Sequence, residues 1–270
     1  MPENTQNPGI DRKAGLYSCR NARVEAGGQV LLSLDSLDFK AKRMTALVGQ
    51  NGSGKSTLLK LLAGQLTPDS GDVVFDGQPL EKWERRALAR SVAFLPQEPP
   101  ATRGLLVREL VAMGRYPWHG AFGRFSEQDG EKTEEAMRLT DVTHLADRLV
   151  DTLSGGERQR AWIAMMVAQD AKCLLLDEPI SALDVAHQVE VLELVRDLCH
   201  ARDLAVIVVL HDINMAARYC DRMIALKGGQ CVADDEPEAL LQADVLERVF
   251  GVQMNVIAHP DGHGVLAYVA

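Results

Sequence analysis

The stretch LVGQNGSGKSTLLKLLAG, Leu47–Gly64, joins the end of an apolar strand to a leucine-rich helix through a turn of glycines. It carries Gly-x-x-x-x-Gly-Lys-Ser as Gly49, Gly54, Lys55 and Ser56. Glycines let the backbone turn tightly, so that successive N–H groups from Asn51, Gly52, Ser53 and Gly54 point inward at one anion. A helix from about Ser56, with Thr57 in its first turn, adds the positive end of its dipole. Lys55 can reach the β- and γ-phosphates of a nucleotide, and the Ser56 hydroxyl can ligate Mg²⁺. A ligand-free glycine loop is the plain alternative. The flanks favour the phosphate site, because MTALV reads as a buried strand and STLLKLLAG as a helix ending at Gly64.

Outward from that loop, the chain has 270 residues, 46% of them hydrophobic, which is enough for one large domain or a domain with a subdomain. Net charge is −9 and no long basic block occurs, which argues against nucleic acid as a partner. The cysteines are Cys19, Cys173, Cys199, Cys220 and Cys231, scattered and without a C-x-x-C pair. They read as reduced, structural thiols. MPENTQNPGIDRKAG has no apolar core, so a floppy tail is expected over 1–14 rather than a signal peptide. LAVIVVL and WIAMMVA are too short to span a bilayer, so any membrane role must come through a partner.

From about Leu16 to Phe39 the pattern predicts short strands with a Gly27-Gly28 turn, and GDVVFDGQPL predicts a strand with a tight Asp-Gly turn. Residues 98–151 are rich in helix formers, with LLVRELVAMG and EQDGEKTEEAMRLTDV as amphipathic candidates; they read as a helical insertion. Strand and helix then alternate through AKCLLLD, AHQVEVLELVRDLCHARD, LAVIVVL and DINMAARYCD, the rhythm of parallel strands with crossover helices. From about Glu236 a short helix, EALLQADVLERVFG, precedes weak strand signals.

Three apolar strands end in chemistry: MTALV at the glycine turn, CLLL at Asp177-Glu178, and LAVIVVL at His211. In open parallel sheets ligands sit beyond the carboxyl ends of strands. Adjacent strand residues point opposite ways, so one of Asp177 and Glu178 can serve a metal's water shell while the other faces an attacking water. LSGGERQRAWIAMMVAQ opens with Ser154 and Glu157, a capping box that by itself explains both. Gly155 and Gly156 lie between them, at a helix mouth suited to an anion. That mouth has no lysine and no room for a whole nucleotide; it could complete a site built elsewhere.

Taken together, Gly49–Thr57, Gln97, LSGGERQR, LLLDEP, SALD and His211 resemble the ATP-binding subunit of ABC transporters, in matching order from about Val30 to Val232. The resemblance implies an α/β P-loop NTPase fold with a mixed or parallel core sheet, an N-terminal antiparallel β subdomain and an inserted α-helical subdomain. It divides the chain into a core (15–97 and 152–235), a helical subdomain (98–151, running into the signature helix to about 169) and an extension (236–270). It implies ATP and Mg²⁺ as ligands. Two copies would pack head to tail, with Ser154, Gly155 and Gly156 of one covering the nucleotide held by Lys55 of the other and Asp184 at the seam. Gln97 would sense Mg²⁺ and the γ-phosphate, Asp177 would support Mg²⁺ with Ser56, Glu178 would activate water, and His211 would contact the γ-phosphate.

VRELVAMGRYPWHGAFGRF, LDVAHQVEVLELV and VLHDINMAARYCD are similar to the iron-siderophore branch of bacterial importers, and most similar to its ferric hydroxamate (ferrichrome-type) ATPases. The implied partners are an integral membrane permease and, indirectly, a periplasmic siderophore-binding protein, with the chain on the cytoplasmic face of the inner membrane. The loop around Trp118 would lie near the groove for a permease helix. Haem, cobalamin and catecholate chelates stay open as cargo, as does a soluble ABC ATPase working on DNA or iron–sulfur assembly. No Asn is followed by Lys, so the guanine reader of a GTPase is missing. Two positions depart from the family: Ile180 stands where a threonine is usual, which implies a tuned site, and Val24 aligns with the aromatic that stacks on adenine, with Tyr17 nearby.

Overall fold

A computed structural model describes residues 15–120, 123–260 and 264–270. The expected tail over 1–14 lies outside them. In chain order β1 (Tyr17–Ala26) and β2 (Gln29–Phe39) form a hairpin, then β3 (Met44–Val48), α1 (Lys55–Leu62), β4 (Ser70–Phe75), β5 (Gln78–Pro79), α2 (Arg85–Ala89) and β6 (Val92–Leu95) follow. Helices α3 (Val107–Met113), α4 (Tyr116–His119), α5 (Glu127–Leu139) and α6 (Gly155–Ala168) come next. The alternation resumes with β7 (Cys173–Leu176), α7 (Val185–Ala201), β8 (Ala205–Val209), α8 (Ile213–Tyr219), β9 (Arg222–Lys227) and β10 (Gln230–Asp235). The chain closes with α9 (Pro237–Leu240), α10 (Ala243–Phe250), β11 (Met254–Ala258) and β12 (Val265–Val269).

Two sheets carry the fold. The larger has the order β10-β9-β3-β8-β7-β6, parallel throughout except for β10, which runs antiparallel to β9. Every residue of β3, β7 and β8 is buried, as continuous apolar runs require of strands covered on both faces. The order puts these three strands side by side, so Val48, Leu176 and Val209 finish at one edge of the sheet. The smaller sheet, β2-β1-β4-β5, is antiparallel, and its tight turn is Asp76-Gly77, both at positive φ.

One core fills the space between the sheets around α1. There Tyr17 stacks on Phe75 with ring centres 4.6 Å apart, and its hydroxyl donates to Leu62 O at 2.9 Å. The other core lies on the opposite face of the large sheet and joins α6 and α7 to α3 and α5. Among the described residues of 98–151 strand pairing is confined to a single bridge, Leu106 to Leu149.

Three local expectations change. β1 and β2 are long, at 10 and 11 residues, because their pairing continues past an irregularity between Val24 and Glu25 instead of ending there. The α1 helix starts one residue early, at Lys55. The single helix expected after Glu236 is two, broken at Leu241 (φ −77°, ψ 60°). The break lets Leu240, Leu241 and Leu246 all reach the core.

Candidate nucleotide site

The glycine turn wraps tightly because β9 runs beside it. Gly49 has φ +140°, and a Cβ there would lie 2.1 Å from Leu226 O, so only glycine fits. Lys55 is buried and its Nζ donates to Gly49 O and Gln50 O, both at 2.9 Å. Burial pulls its pKa down, and the carboxylates of Glu178 and Asp177 offset this in part. The Ser53 hydroxyl is buried at the same turn with no partner among the described residues, an orphan that an anion would satisfy.

Asp177 and Glu178 lie just past the end of β7, so their different neighbours come from the turn that follows and not from the strand alternation expected from the sequence. Asp177 is buried and accepts from the Ser56 hydroxyl at 3.0 Å; burial raises its pKa despite that bond. Glu178 turns the other way on a left-handed backbone, φ +51°. Its Oε1 lies 2.6 Å from His211 Nε2, and its Oε2 accepts from Gln97 Nε2 at 2.7 Å. Both carboxylate oxygens are therefore held, each from a different strand end. Leu31, residues 51–57, Gln97, Glu178 and His211 enclose a cavity of about 410 Å³. Its size falls in the ordinary range for small-molecule sites.

Ser154, Gly155, Gly156 and Asp184 lie outside that cavity. Ser154 caps α6, with Glu157 N–H donating to its hydroxyl and Glu157 Oε2 accepting from Ser154 N–H. Gly155 lines a neighbouring cleft of about 320 Å³ that also opens on Gln97 and Glu178. Asp184 caps α7, and hydrogen bonds from the backbone and ring of His187 hold its carboxyl below the usual range.

Neither Val24 nor Tyr17 offers a face to a base, since both are buried in the core between the sheets. Leu31, 37% exposed, is the apolar side chain that lines the cavity, and nothing in its strand pattern singled it out. Ile180 is packed into the main core, so the missing hydroxyl is replaced by apolar contact. The guanidinium groups of Arg90 and Arg115 lie 5.2 and 4.9 Å from the Trp118 ring centre, and its indole N–H donates to Gln169 O.

Ser56, Asp177 and Gln97 present oxygen donors suited to a small hard cation. Among the described residues no cluster of three or more His, Cys, Asp or Glu could hold a metal ion. The cysteine thiols are buried or half-buried, and burial raises Cys19 and Cys199 to about 12. No described helix is long and apolar enough to cross a membrane.

Residues 32–181 match the family model for ABC transporters. The chain belongs to the ABC transporter family. Among curated ABC relatives it is 44% identical over 216 residues to the ferric enterobactin transport ATP-binding protein of Escherichia coli, covering 80% of each chain. It is 48% identical over 230 residues to a hemin import ATP-binding protein of Nocardia farcinica, covering 84% of this chain and 78% of that one. A solved ABC cassette, MJ0796, described as a dimer in a post-hydrolysis state with ADP and phosphate, superposes with a TM-score of 0.70 at 25% identity, over 82% of this chain and 98% of that one. The ABC ATP-binding domain binds ATP, and this chain is an ATPase of that type.

Proposed function

We propose that this ATPase is the motor subunit of an importer that carries iron(III)-hydroxamate siderophores across the bacterial inner membrane. The observation that carries the reading is the convergence of the β3, β7 and β8 ends on one cavity, lined by the phosphate loop, Glu178 and His211, with Asp177 hydrogen-bonded to Ser56 of its wall. Of the proteins named above, one is a ferric enterobactin transport and one a hemin import ATP-binding protein. The hydroxamate assignment rests on the resemblance of RYPWHGAFGRF and the helix motifs.

In this reading the N–H groups of residues 49–57 and Lys55 hold the phosphates. Ser56, Asp177 and Gln97 would hold Mg²⁺, which supplies positive charge against the phosphate oxygens. Glu178 accepts the proton of the attacking water, and His211 steadies the transferred phosphoryl group. The Gln97 and His211 contacts to Glu178 describe a resting arrangement: while they last, neither oxygen of the base is free. Nucleotide binding draws Gln97 and His211 away and releases it. The mouth of α6 faces the nucleotide of a second copy packed head to tail, which accounts for a helix mouth outside its own chain's cavity.

The permease would meet the region of α3–α5, where Met113, Tyr116 and Phe125 are exposed beside Trp118. The chain would then lie on the cytoplasmic face, with a periplasmic siderophore-binding protein across the membrane. In this reading 15–97 and 152–235 form the ATP-binding core, 98–151 the helical subdomain running into the signature helix to about 169, and 236–270 an extension.

The test is uptake of radiolabelled iron by cells or proteoliposomes holding the chain and its permease. Ferric hydroxamate should accumulate in an ATP-dependent way, and Lys55→Ala should abolish it. Each lost charge-assisted contact to a buried phosphate is worth roughly 1.5–3 kcal/mol. Uptake of haem or a ferric catecholate in preference would keep the motor and replace the cargo. Unimpaired uptake by Lys55→Ala would remove the phosphate-loop assignment.

A further inference from the structure

Neither glycine at the mouth of α6 has a positive φ, so backbone freedom does not explain them. Space does. A Cβ on Gly155 would lie 3.1 Å from the Leu183 side chain, and a Cβ on Gly156 would lie 2.3 Å from Cδ2 of His187 and 2.8 Å from its Cγ. The first turn of α6 is thus seated on the segment that leads into α7. The imidazole occupies the volume that a side chain at 156 would need.

The same imidazole is fixed at its other edge. Its Nδ1 is 2.8 Å from Asp184 Oδ1, and that oxygen also accepts the His187 backbone N–H at 3.0 Å. One ring therefore touches both groups assigned above to the partner's side of the site. Further along the two helices Arg160 donates to Glu190 at 2.9 Å, which continues the contact. Behind the ring, Gln188 donates to Ile180 O and Leu183 O and ties the intervening turn to α7.

We propose that His187 is a positioning residue that locks the Ser154–Gly156 mouth to Asp184, so that both meet the partner's nucleotide as one rigid surface. The proposal rests on the reading that this mouth covers the nucleotide of a second copy. A mouth free to shift against Asp184 would present its N–H groups at the wrong place, and misplacement by about 1 Å can lower a rate by about 10²-fold.

The experiment measures kcat and KM for ATP, together with thermal melting, in the chain assembled with its permease. His187→Ala should raise KM and lower kcat/KM by about 10–100-fold while the melting curve stays cooperative. His187→Asn keeps an N–H at the Nδ1 position and should recover part of the loss. Gly156→Ala should be severely impaired in the wild-type background, where the new methyl meets the ring. In the His187→Ala background it should add little, because the space is open. Equal harm from Gly156→Ala in both backgrounds would show that the glycine serves the nucleotide alone, and would overturn the proposal. So would wild-type kinetics in His187→Ala, a result that needs no glycine variant to fold. Ser154→Arg separates the two levels. If it hydrolyses ATP normally, the partner-nucleotide reading falls and this inference with it; if it is inactive while His187→Ala is normal, only the inference falls.

Discussion

Glu178 is a non-glycine residue at φ +51°, a conformation that costs of order 1–3 kcal/mol and persists only where its surroundings impose it. Here the surroundings are Gln97 and His211, one on each carboxylate oxygen. Glu178→Gln keeps the size and removes the proton acceptor. It should bind MgATP and close into a dimer while turnover falls about 10²–10⁴-fold, read by phosphate release with the permease present. Asp177→Asn should differ in kind. Its partner is the Ser56 hydroxyl, so Mg²⁺-dependent ATP binding itself should weaken, measured by titration with and without the metal. Asp177, Glu178 and His211 were legible because each lies at the end of a continuous apolar strand, a pattern that survives in one sequence, whereas Gln97 was reached only through the family resemblance. His187 was not, since a single histidine in an amphipathic helix gives no periodic signal, and its neighbour Gly156 lies 31 positions earlier. The aligned adenine position was also not legible, because burial of Val24 and Tyr17 depends on a second sheet packing over them.

At the scale of elements, the helical region is pinned by a buried ion pair. Arg115, in the turn between α3 and α4, donates through Nε to Asp129 of α5 at 2.8 Å and through a terminal nitrogen to Ala168 O at the end of α6. Burial pushes the Asp129 pKa up, but the Ser126 N–H, Arg115 and the Ser126 hydroxyl outweigh it and bring it to about 2. Arg115→Ala strands that carboxylate and should destabilise the protein by about 3–5 kcal/mol in denaturant melts. The pH dependence has a definite sign. A carboxyl depressed in the folded state binds more protons when unfolded, so its stabilisation is complete above the ordinary carboxylate range and is lost as pH falls towards about 2. The drop in melting temperature between pH 5 and pH 2.5 should be smaller in Asp129→Asn than in the wild type. Helices α3 and α5 were visible in the apolar spacing, but this pair was not: its members are 14 residues apart and read as ordinary surface charges. The break at Leu241 was hidden for a related reason, because a leucine pair fits one helix until the core claims both.

At the scale of the whole molecule, the chain after Asp235 returns to the site. Gln50, in the glycine turn, donates to Phe250 O, and Lys227 donates to Arg248 O at 2.5 Å, so the end of α10 is capped from the nucleotide side. Asn214, in the first turn of α8, exchanges two hydrogen bonds with Ala267 of β12 at 3.0 and 2.8 Å. Asn214→Ala should cost about 1–3 kcal/mol, because it leaves two half-buried backbone groups of β12 unpaired, and hydrogen exchange should rise in β11–β12 ahead of global opening. Helix α8 begins just past the His211–Asp212 turn, so the terminal hairpin is joined to the residue that grips the base. In evolutionary terms this makes the end of the chain an inlet for new control. A domain grafted beyond Ala270 would inherit a mechanical path through β12 and Asn214 to His211, and any signal it sensed could throttle fuel use with the catalytic side chains left as they are.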